Sequence, residues 1–209
     1  MKAVYFDSQI PEKIAKEKFC FPEGIMMENA ASSLENAITD FFKELKPCVL
    51  IVCGSGNNGG DGIALARRIF GKFEVYVFCV KNPKTPESLV QLKMAKNLNV
   101  PFLTEDEFNS KLNEKKVNII VDCLFGTGFS GVPDEKSSEI LLKLNSYDCL
   151  KIACDIPSGI NKSGLVYKNS KNEALVFNAD YTVTMGALKT ALFSDAAKDF
   201  CGKIICAEL

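Results

Sequence analysis

The stretch VLIVCGSGNNGGDGIALARRIF, residues 49–70, decides the fold of this chain. Its first five residues are apolar, as expected of a β-strand that is covered on both faces of a sheet. Its last eight residues have a helical pattern, and between the two lies a nine-residue loop with five glycines. Glycines let a backbone approach a ligand closely, and the start of a helix offers free N–H groups. We therefore predict a strand, a loop that is either a tight turn or a ligand-binding loop, and a helix.

Apolar runs similar to 49–53 recur along the chain and alternate with helical patterns. Because parallel strands that are joined through helices form right-handed βαβ units, this alternation predicts a doubly wound, mostly parallel α/β sheet. No repeat or linker interrupts the sequence, so one domain is predicted over residues 1–209. The strands are predicted at 49–53, 74–80, 100–103, 118–124, 150–155, 181–185 and 203–207.

Helix start signals support this pattern. Thr85, Thr104 and Asp134 are each followed by a helical pattern, and their side chains are of the kind that caps a helix N-terminus. Residues 156–180 form a long polar excursion, and loops of this length inside a domain are usually functional or mobile. A first helix is predicted at 26–45, with an apolar face that consists of Leu34, Ile38, Phe41, Phe42 and Leu45.

The composition excludes several classes of function. The chain has 209 residues, with 25 Lys and Arg against 26 Asp and Glu, and it contains neither His nor Trp. An even charge balance gives no basic surface for nucleic acid, and the lack of His excludes Ser–His–Asp hydrolysis and the commonest zinc sites. The sequence has neither a signal peptide nor an apolar stretch of about 20 residues. It therefore predicts a cytoplasmic protein that does not bind a membrane.

The nine cysteines form no C-x-x-C pair, and most of them lie within apolar runs. Cysteine is among the residues that are most often buried, so we predict reduced thiols in the core. A metal-binding or catalytic role is the alternative, although no ligand spacing points to it.

The glycine loop departs from two common nucleotide-binding patterns. A nicotinamide dehydrogenase has an acidic residue at the end of the second strand, about 20 positions on, but residues 80–82 read Val-Lys-Asn. A phosphate-binding P-loop has Lys and Ser or Thr after its second glycine, whereas Gly59 is followed by a glycine and Asp61. Asn57, Asn58 and Asp61 instead indicate a polar ligand or a hard cation that is held by oxygen atoms.

Polar loops also follow two other predicted strands, at 122–132 and 155–159. In a doubly wound sheet, ligands bind in the crevice beyond the carboxyl ends of the strands, where these loops and residues 54–62 should meet. An Asp at an apolar strand end is otherwise a helix cap or an ion-pair partner, which is the alternative for Asp122. The residues predicted to line the crevice are Asn57, Asn58, Asp61, Asp122 and Asp155.

Five motifs together carry a family resemblance. They are MENAA at 27–31, CGSGNNGGDG at 53–62, VDCLFGTGFSG at 121–131, DIPSG at 155–159 and ADYTVTMGALK at 179–189. With these motifs in this order over nearly the whole chain, the sequence resembles the YjeF N-terminal domain family, the NAD(P)H-hydrate epimerases. The resemblance implies a three-layer α/β/α, Rossmann-like fold and a homodimer, for which the 26–45 helix is a candidate surface.

The resemblance also implies a reaction. Family members interconvert the R and S epimers of NADHX and NADPHX, the hydrated forms of NADH and NADPH. A dehydratase that accepts only the S epimer then restores the nucleotide, so functional coupling to that enzyme is expected. Many bacterial members carry the dehydratase as a second domain, and this chain is either a standalone epimerase or part of a longer protein. The alternative is a non-catalytic module that binds a nucleotide or a protein, and the 80–82 segment disfavours a nicotinamide-dependent oxidoreductase.

Site residues follow from the same resemblance. A potassium ion is expected on Asn58, Asp122 and Ser158. The contacts to the hydrated nucleotide are expected from Asn57, Asn58, Gly59, Gly60, Asp61, Gly126, Thr127, Gly128, Phe129, Ser130, Gly131, Val132 and Asp155.

The substrate centre is a hemiaminal, which inverts through loss and return of water or through ring opening. Either route needs a group that gives and then takes a proton, and a carboxylate does both. We predict Asp155 in that catalytic role, with Lys189 as a second acid or a phosphate contact; a solvated surface lysine is the alternative. The family often has Gly after this lysine, whereas Thr190 follows it here.

Overall fold

The computed structural model describes residues 4–6, 9–41 and 46–207 of the chain. Helices and strands alternate through most of this length, with two short 3₁₀ turns at Thr190–Phe193 and Lys198–Phe200. The elements in chain order are β1 (Val4–Tyr5), α1 (Gln9–Phe19), α2 (Glu23–Phe41), β2 (Cys48–Cys53), α3 (Asn57–Ile69), β3 (Glu74–Cys79), α4 (Pro86–Asn97), α5 (Glu105–Asn113), β4 (Ile119–Cys123), α6 (Glu135–Ser146), β5 (Leu150–Cys154), β6 (Tyr181–Met185), β7 (Leu188–Lys189) and β8 (Lys203–Ala207).

A six-stranded sheet forms the centre of the fold, in the order β3-β2-β4-β5-β6-β8, and each neighbouring pair is parallel. The connection from β2 leads to β3 on one side, while the connection from β4 leads to β5 on the other. The chain therefore changes direction between β2 and β4. This is the topological switch point, where sheets of this class bind their ligands. The prediction of a doubly wound α/β sheet is confirmed.

Two apolar layers cover the sheet. Val49 and Ile51 of β2 pack into a cluster with α2, α3 and α4. Leu50 and Val52 of the same strand pack into a second cluster with α5 and α6. Because both faces are covered, β2 is buried at every position, which explains its uninterrupted apolar sequence.

The predicted helix starts agree with the structure. Thr85 caps α4, with Pro86 as its first helical residue, and Thr104 forms a capping box with Glu107 at α5. Asp134 caps α6 by accepting a hydrogen bond from the backbone N–H of Ser137 at 2.9 Å.

The helix predicted at 26–45 begins earlier, at Glu23, because Pro22 and Glu23 already form its first turn. Leu34 and Ile38 are fully buried, as predicted, and the ring of Phe41 lies 4.3 Å from that of Tyr181. Phe42 and Leu45, predicted on the same face, lie outside the described residues.

The strand predicted at 100–103 is wrong. Only Phe102 bridges to β3, opposite Val77. The N–H of Val77 donates to the carbonyl of Pro101, and the N–H of Leu103 donates to the carbonyl of Val77. Pro101 has no N–H to extend this pairing, and Thr104 immediately begins the next helix. The segment therefore pairs with the edge strand β3 through a single bridge and does not add a seventh strand to the sheet.

Two features were not predicted from the sequence. Helix α1 precedes α2, and β1 pairs with β7 in a separate two-stranded parallel sheet, with Val4 opposite Leu188 and Tyr5 opposite Lys189. The polar excursion 156–180 contains two antiparallel bridges of its own, and it shares an apolar cluster with the 190–201 region. Within the described residues, none of the helices has both the length and the apolar character to cross a membrane.

Candidate functional site

A cavity of about 480 Å³ opens beside the switch point between β2 and β4. The three predicted loops contribute to its wall, together with α1, the start of α2 and the segment after β3. Its lining residues are Glu12, Lys16, Glu23, Met26, Met27, Ala30, Gly54, Ser55, Gly56, Asn57, Asn58, Asp61, Lys81, Thr85, Leu124, Phe125, Gly126, Thr127, Gly128, Phe129, Asp155 and Met185.

The glycine loop forms the strand–loop–helix unit that the sequence predicts. Helix α3 starts directly against the end of β2, because Gly59 packs on the carbonyl group of Gly54. A Cβ atom at Gly59 would overlap that carbonyl oxygen, so this close approach requires glycine. Gly56 is the N-cap residue of α3 and offers no capping side chain. The first N–H groups of the helix are therefore left for water or a ligand.

The predicted cation ligands belong to one buried hydrogen-bond network. Asn58 donates from Nδ2 to the carbonyl of Phe125 at 3.0 Å, and the N–H of Phe125 donates to Oγ of Ser158 at 2.8 Å. The carboxylate of Asp122 accepts from the N–H and the Oγ of Ser158, at 2.8 and 2.7 Å, and from the N–H of Leu124 at 3.1 Å. Asn58, Asp122 and Ser158 are thus brought together.

Two features of this network bear on whether it could bind a cation. Oδ1 of Asn58 is buried and accepts no hydrogen bond. Burial raises the pKa of Asp122 to about 6, while the hydrogen bonds from Ser158 and Leu124 lower it. No group of three His, Cys, Asp or Glu side chains in the described part of the chain is able to hold a metal ion. A cation here would depend on amide, hydroxyl and carbonyl oxygens beside the single carboxylate.

Asp155 and Lys189 form the second polar centre. Lys189 is only 2% exposed, and its Nζ lies 2.6 Å from Oδ1 of Asp155. The same ammonium donates to Oγ1 of Thr184 at 2.8 Å and to the carbonyl of Met185 at 3.1 Å. The N–H of Met185 in turn donates to Oδ1 of Asp155 at 3.2 Å. Lys189 is therefore not a surface lysine; it holds the Asp155 carboxylate in place.

The backbone of Asp155 is also unusual. Its φ of 69° places it in the left-handed region, which costs most non-glycine residues about 1–3 kcal/mol. Its N–H is held by the carbonyl of Val183 at 2.8 Å. Strain of this kind persists only where the surroundings fix it, and it occurs often at functional sites.

Asp61, on the first turns of α3, is the third carboxylate of the site. Desolvation raises its pKa well above the usual value, and the negative charges of Asp155 and Glu12 raise it further. Among residues 4–6, 9–41 and 46–207, no Lys or Arg forms an ion pair with Asp61. Two aspartates therefore line one cavity. Asp155 is paired with Lys189, whereas Asp61 has no such partner among the described residues.

The loop after β4 reaches the cavity with only part of its length. The rings of Phe125 and Phe129 stack at 3.9 Å, and Tyr167 lies edge-on to Phe129 at 5.6 Å. Gly126 to Phe129 line the cavity, as predicted. The other predicted contacts of this loop, Ser130, Gly131 and Val132, are exposed and lie outside the cavity wall.

Gly59 and Gly60 were also predicted to contact substrate. Both are buried inside α3 and are absent from the cavity wall, since Gly59 packs on Gly54 and Gly60 packs on Met27. They set the position of the helix and so act on the site indirectly.

Several lining residues were missed by the sequence analysis. Lys81 follows β3 at the same edge of the sheet and forms an ion pair with Asp134, so its position in the sheet is a signal that could have identified it. Lys16 of α1 forms an ion pair with Glu23, and both line the cavity. No local pattern indicates that α1 lies beside the site, because this placement depends on tertiary packing.

All the cysteines are free, and the prediction of core thiols holds for Cys53, Cys123 and Cys154, which are buried. Cys79 and Cys206 are half-buried. Each of the neighbouring strands β3, β2, β4 and β5 ends in a cysteine, namely Cys79, Cys53, Cys123 and Cys154. Gly62 of α3 packs directly on Cys53 and Cys123, where a Cβ atom would lie 2.8 Å from either sulfur.

Known proteins share the sequence pattern and the fold of this chain. Residues 23–191 match the family model described as YjeF-related protein N-terminus. The chain belongs to this family. The crystal structure of yeast ynu0, a protein with 24% identity, has the same fold with a TM-score of 0.74 over 88% of this chain and 79% of the yeast chain.

Two curated relatives of this YjeF-type domain have been named for their activity. The bifunctional NAD(P)H-hydrate repair enzyme Nnr of Helicobacter pylori is 40% identical over 98% of this chain, which spans 42% of that relative. The NAD(P)H-hydrate epimerase of Elusimicrobium minutum is 35% identical over 92% of this chain, which spans 88% of that relative. The chain thus spans less than half of the bifunctional protein and most of the single-activity epimerase.

Proposed function

We propose that this protein interconverts the R and S epimers of hydrated NADH and NADPH. One observation carries the proposal: a carboxylate, Asp155, is fixed by a buried lysine in the wall of a cavity at the switch point of the sheet. A cavity in this position suits a nucleotide, and its wall includes the unsatisfied N-terminus of α3 and stacked aromatic rings. The names of the curated relatives support the same activity.

The chemistry requires little more than these groups. The substrate centre carries a hydroxyl beside a ring nitrogen, so loss of water gives an iminium cation that water attacks again. A positioned carboxylic acid protonates the departing hydroxyl, and a carboxylate takes the proton from the entering water. The ion pair with Lys189 fixes Asp155 for this exchange, and a carboxylate held in the cavity favours the cationic intermediate over the neutral substrate.

We also propose that Asn58, Asp122 and Ser158 hold a potassium ion. Three features support the proposal: the buried Oδ1 of Asn58 without a hydrogen bond, the buried carboxylate of Asp122 and the nearby hydroxyl of Ser158. Hard oxygen ligands of this type suit such a cation. When bound, potassium would supply a fixed positive charge beside the substrate.

The remaining proposals concern the oligomeric state, the compartment and the partner enzyme of this protein. We expect a homodimer that works in the cytoplasm together with an NAD(P)H-hydrate dehydratase. The nine free cysteines are compatible with a reducing compartment, and the bifunctional relatives link the two activities in one chain.

A coupled assay tests the proposed function. An epimer mixture of NADHX is incubated with an S-specific dehydratase until only the R epimer is left, and the protein is then added. We expect the R epimer to disappear and the absorbance of NADH to return. If the R epimer disappears no faster than without the protein, the proposed activity is wrong. The Asp155→Asn variant is expected to lower the rate while it still binds the nucleotide.

A further inference from the structure

Asp61 and Asp155 share the cavity wall but have different surroundings. Asp155 is paired with the ammonium group of Lys189, and its Oδ1 accepts a hydrogen bond from the backbone N–H of Met185. No lysine or arginine in the described residues pairs with Asp61. Desolvation raises the pKa of Asp61, so its protonated form is favoured. A site with one protonated and one ionised carboxyl group has an acid and a base at the same pH.

Inversion of a carbon centre by loss and return of water makes a specific demand on the protein. The hydroxyl leaves from one face of the ring, and the new water must enter from the opposite face. A single carboxyl group that serves both faces must move relative to the ring, or the ring must turn over. Asp61 on α3 and Asp155 after β5 line the same cavity from different elements, and two such carboxyl groups remove that requirement.

We propose that Asp61 is a second catalytic residue, which donates the proton to the departing hydroxyl while Asp155 accepts a proton from the water that enters on the other face. This inference rests on the proposed epimerase function and extends it. In the first step the C6–O bond breaks, its electron pair goes to oxygen, and the proton of Asp61 completes a water molecule. The lone pair of the ring nitrogen forms the C6=N1 bond.

In the second step water adds to C6 from the opposite face. The C6=N1 π electrons return to nitrogen, and the proton released from the water goes to Asp155. Atoms and charge balance, since the protein begins with a proton on Asp61 and ends with one on Asp155. In the reverse direction the roles exchange, as microscopic reversibility requires, and a proton transfer between the two groups resets the enzyme.

Two observations place ligand-binding groups on the helix that carries Asp61. Asn58, one turn before Asp61 on α3, has a buried Oδ1 without a hydrogen bond in the same cavity wall. The N-terminus of that helix also lacks a side-chain cap. The other titratable groups that act on Asp61 are Glu12 of α1 and the thiols of Cys53 and Cys154 at the strand ends. None of them brings a positive charge to Asp61.

The first test compares Asp61→Asn with the wild-type protein in both directions of epimerisation. The asparagine preserves the shape of the acid but has no acidic proton to transfer to the departing hydroxyl. We expect kcat to fall by about 100-fold or more in both directions. The Kd for the hydrated nucleotide, measured by calorimetry, should change less than about threefold, and Asp61→Glu should recover part of kcat.

A kcat within threefold of the wild-type value in Asp61→Asn would overturn the proposal and leave Asp155 as the only proton carrier. That result differs from a failure of the proposed function, in which the wild-type protein itself has no activity. A thermal unfolding curve for each variant establishes that it is folded.

A second test does not change either carboxyl group. In the wild-type protein, kcat/KM in the direction that needs protonated Asp61 should fall as the pH rises through the pKa of Asp61. Glu12→Gln removes one of the negative charges that raise this pKa, so the alkaline limb of the profile should move to lower pH. An alkaline limb that is unchanged in Glu12→Gln would contradict the assignment of Asp61, even if Asp61→Asn does not fold.

Discussion

The Nζ atom of Lys189 lies 2.6 Å from Oδ1 of Asp155, with 2% of the lysine side chain and 14% of the aspartate side chain exposed. The two residues belong to different parts of the fold, since Asp155 follows β5 and Lys189 ends β7. Their ion pair holds a strained backbone and a reactive carboxylate at the same point. Loss of either partner leaves a charge in a poorly solvated place.

We therefore expect Asp155 and Lys189 to be energetically coupled. Removal of one member of a buried ion pair commonly costs about 3–5 kcal/mol, and Asp155→Asn and Lys189→Met should each lower the free energy of unfolding. The double variant should be more stable than the sum of the two losses predicts, by about 1–3 kcal/mol. Urea unfolding of all four proteins measures this coupling. If the losses in the two single variants add up to the loss in the double variant, the two residues are not coupled and the prediction is wrong.

Asp61 should reduce the stability of the protein at neutral pH. Its pKa is higher in the folded than in the unfolded protein, so the folded state binds more protons between these two values. The contribution of Asp61 to the free energy of unfolding therefore falls as the pH rises above about 3.8. Asp61→Asn lacks this dependence and should have the higher Tm at neutral pH, with a difference that shrinks in acid. A Tm below that of the wild-type protein at neutral pH would contradict the expected sign.

Potassium should stabilise the protein through the Asn58, Asp122 and Ser158 network. A ligand that binds only the folded state adds about 2.7 kcal/mol at 100 times its Kd. We expect a higher Tm in potassium chloride than in choline chloride at equal ionic strength. Ser158→Ala should lose this difference, whereas Ser170→Ala, on an exposed loop position, should keep it. Equal Tm values for the wild-type protein in both salts would contradict a cation site.

Gly59 should tolerate no side chain. A methyl group there would overlap the carbonyl oxygen of Gly54, and overpacking of this kind usually costs about 1–3 kcal/mol or more. Gly59→Ala should lower both the unfolding free energy and the affinity for the nucleotide, because α3 must move away from β2. Gly24→Ala is the matched control, since nothing lies within 4 Å of its Cβ position and the residue is helical. It should be neutral or stabilising by up to about 1 kcal/mol. Unfolding followed by circular dichroism measures the stability of both variants, and calorimetry measures their affinity for the nucleotide.

The sequence was sufficient for the parts of the fold that depend on local patterns. The uniform apolar runs of β2 and β4 predicted parallel strands covered on both faces, and the caps at Thr85, Thr104 and Asp134 follow from side-chain chemistry. The meeting of the three loops follows from topology, because parallel strands end at one edge of the sheet.

Other parts depend on contacts that no local pattern reports. The segment at 100–103 has the composition of a strand, but Pro101 and the cap at Thr104 limit it to one bridge. The burial of Lys189 depends on Asp155, Thr184 and the carbonyl groups after β6, which surround it only after folding. Likewise, nothing near Ser130 in the sequence indicates that the loop leaves the cavity after Phe129.

The pairing of β1 with β7 has a consequence for the newly made chain. Tyr5 is synthesised long before its partner Lys189, which follows the strands of the central sheet up to β6. Contacts of such large sequence separation form slowly. A nascent chain can therefore assemble β2, β3, β4 and β5 while Asp155 still lacks its counter-ion. Activity should appear only when the domain is nearly complete, so that partial translation products would be inactive even when their central sheet has formed.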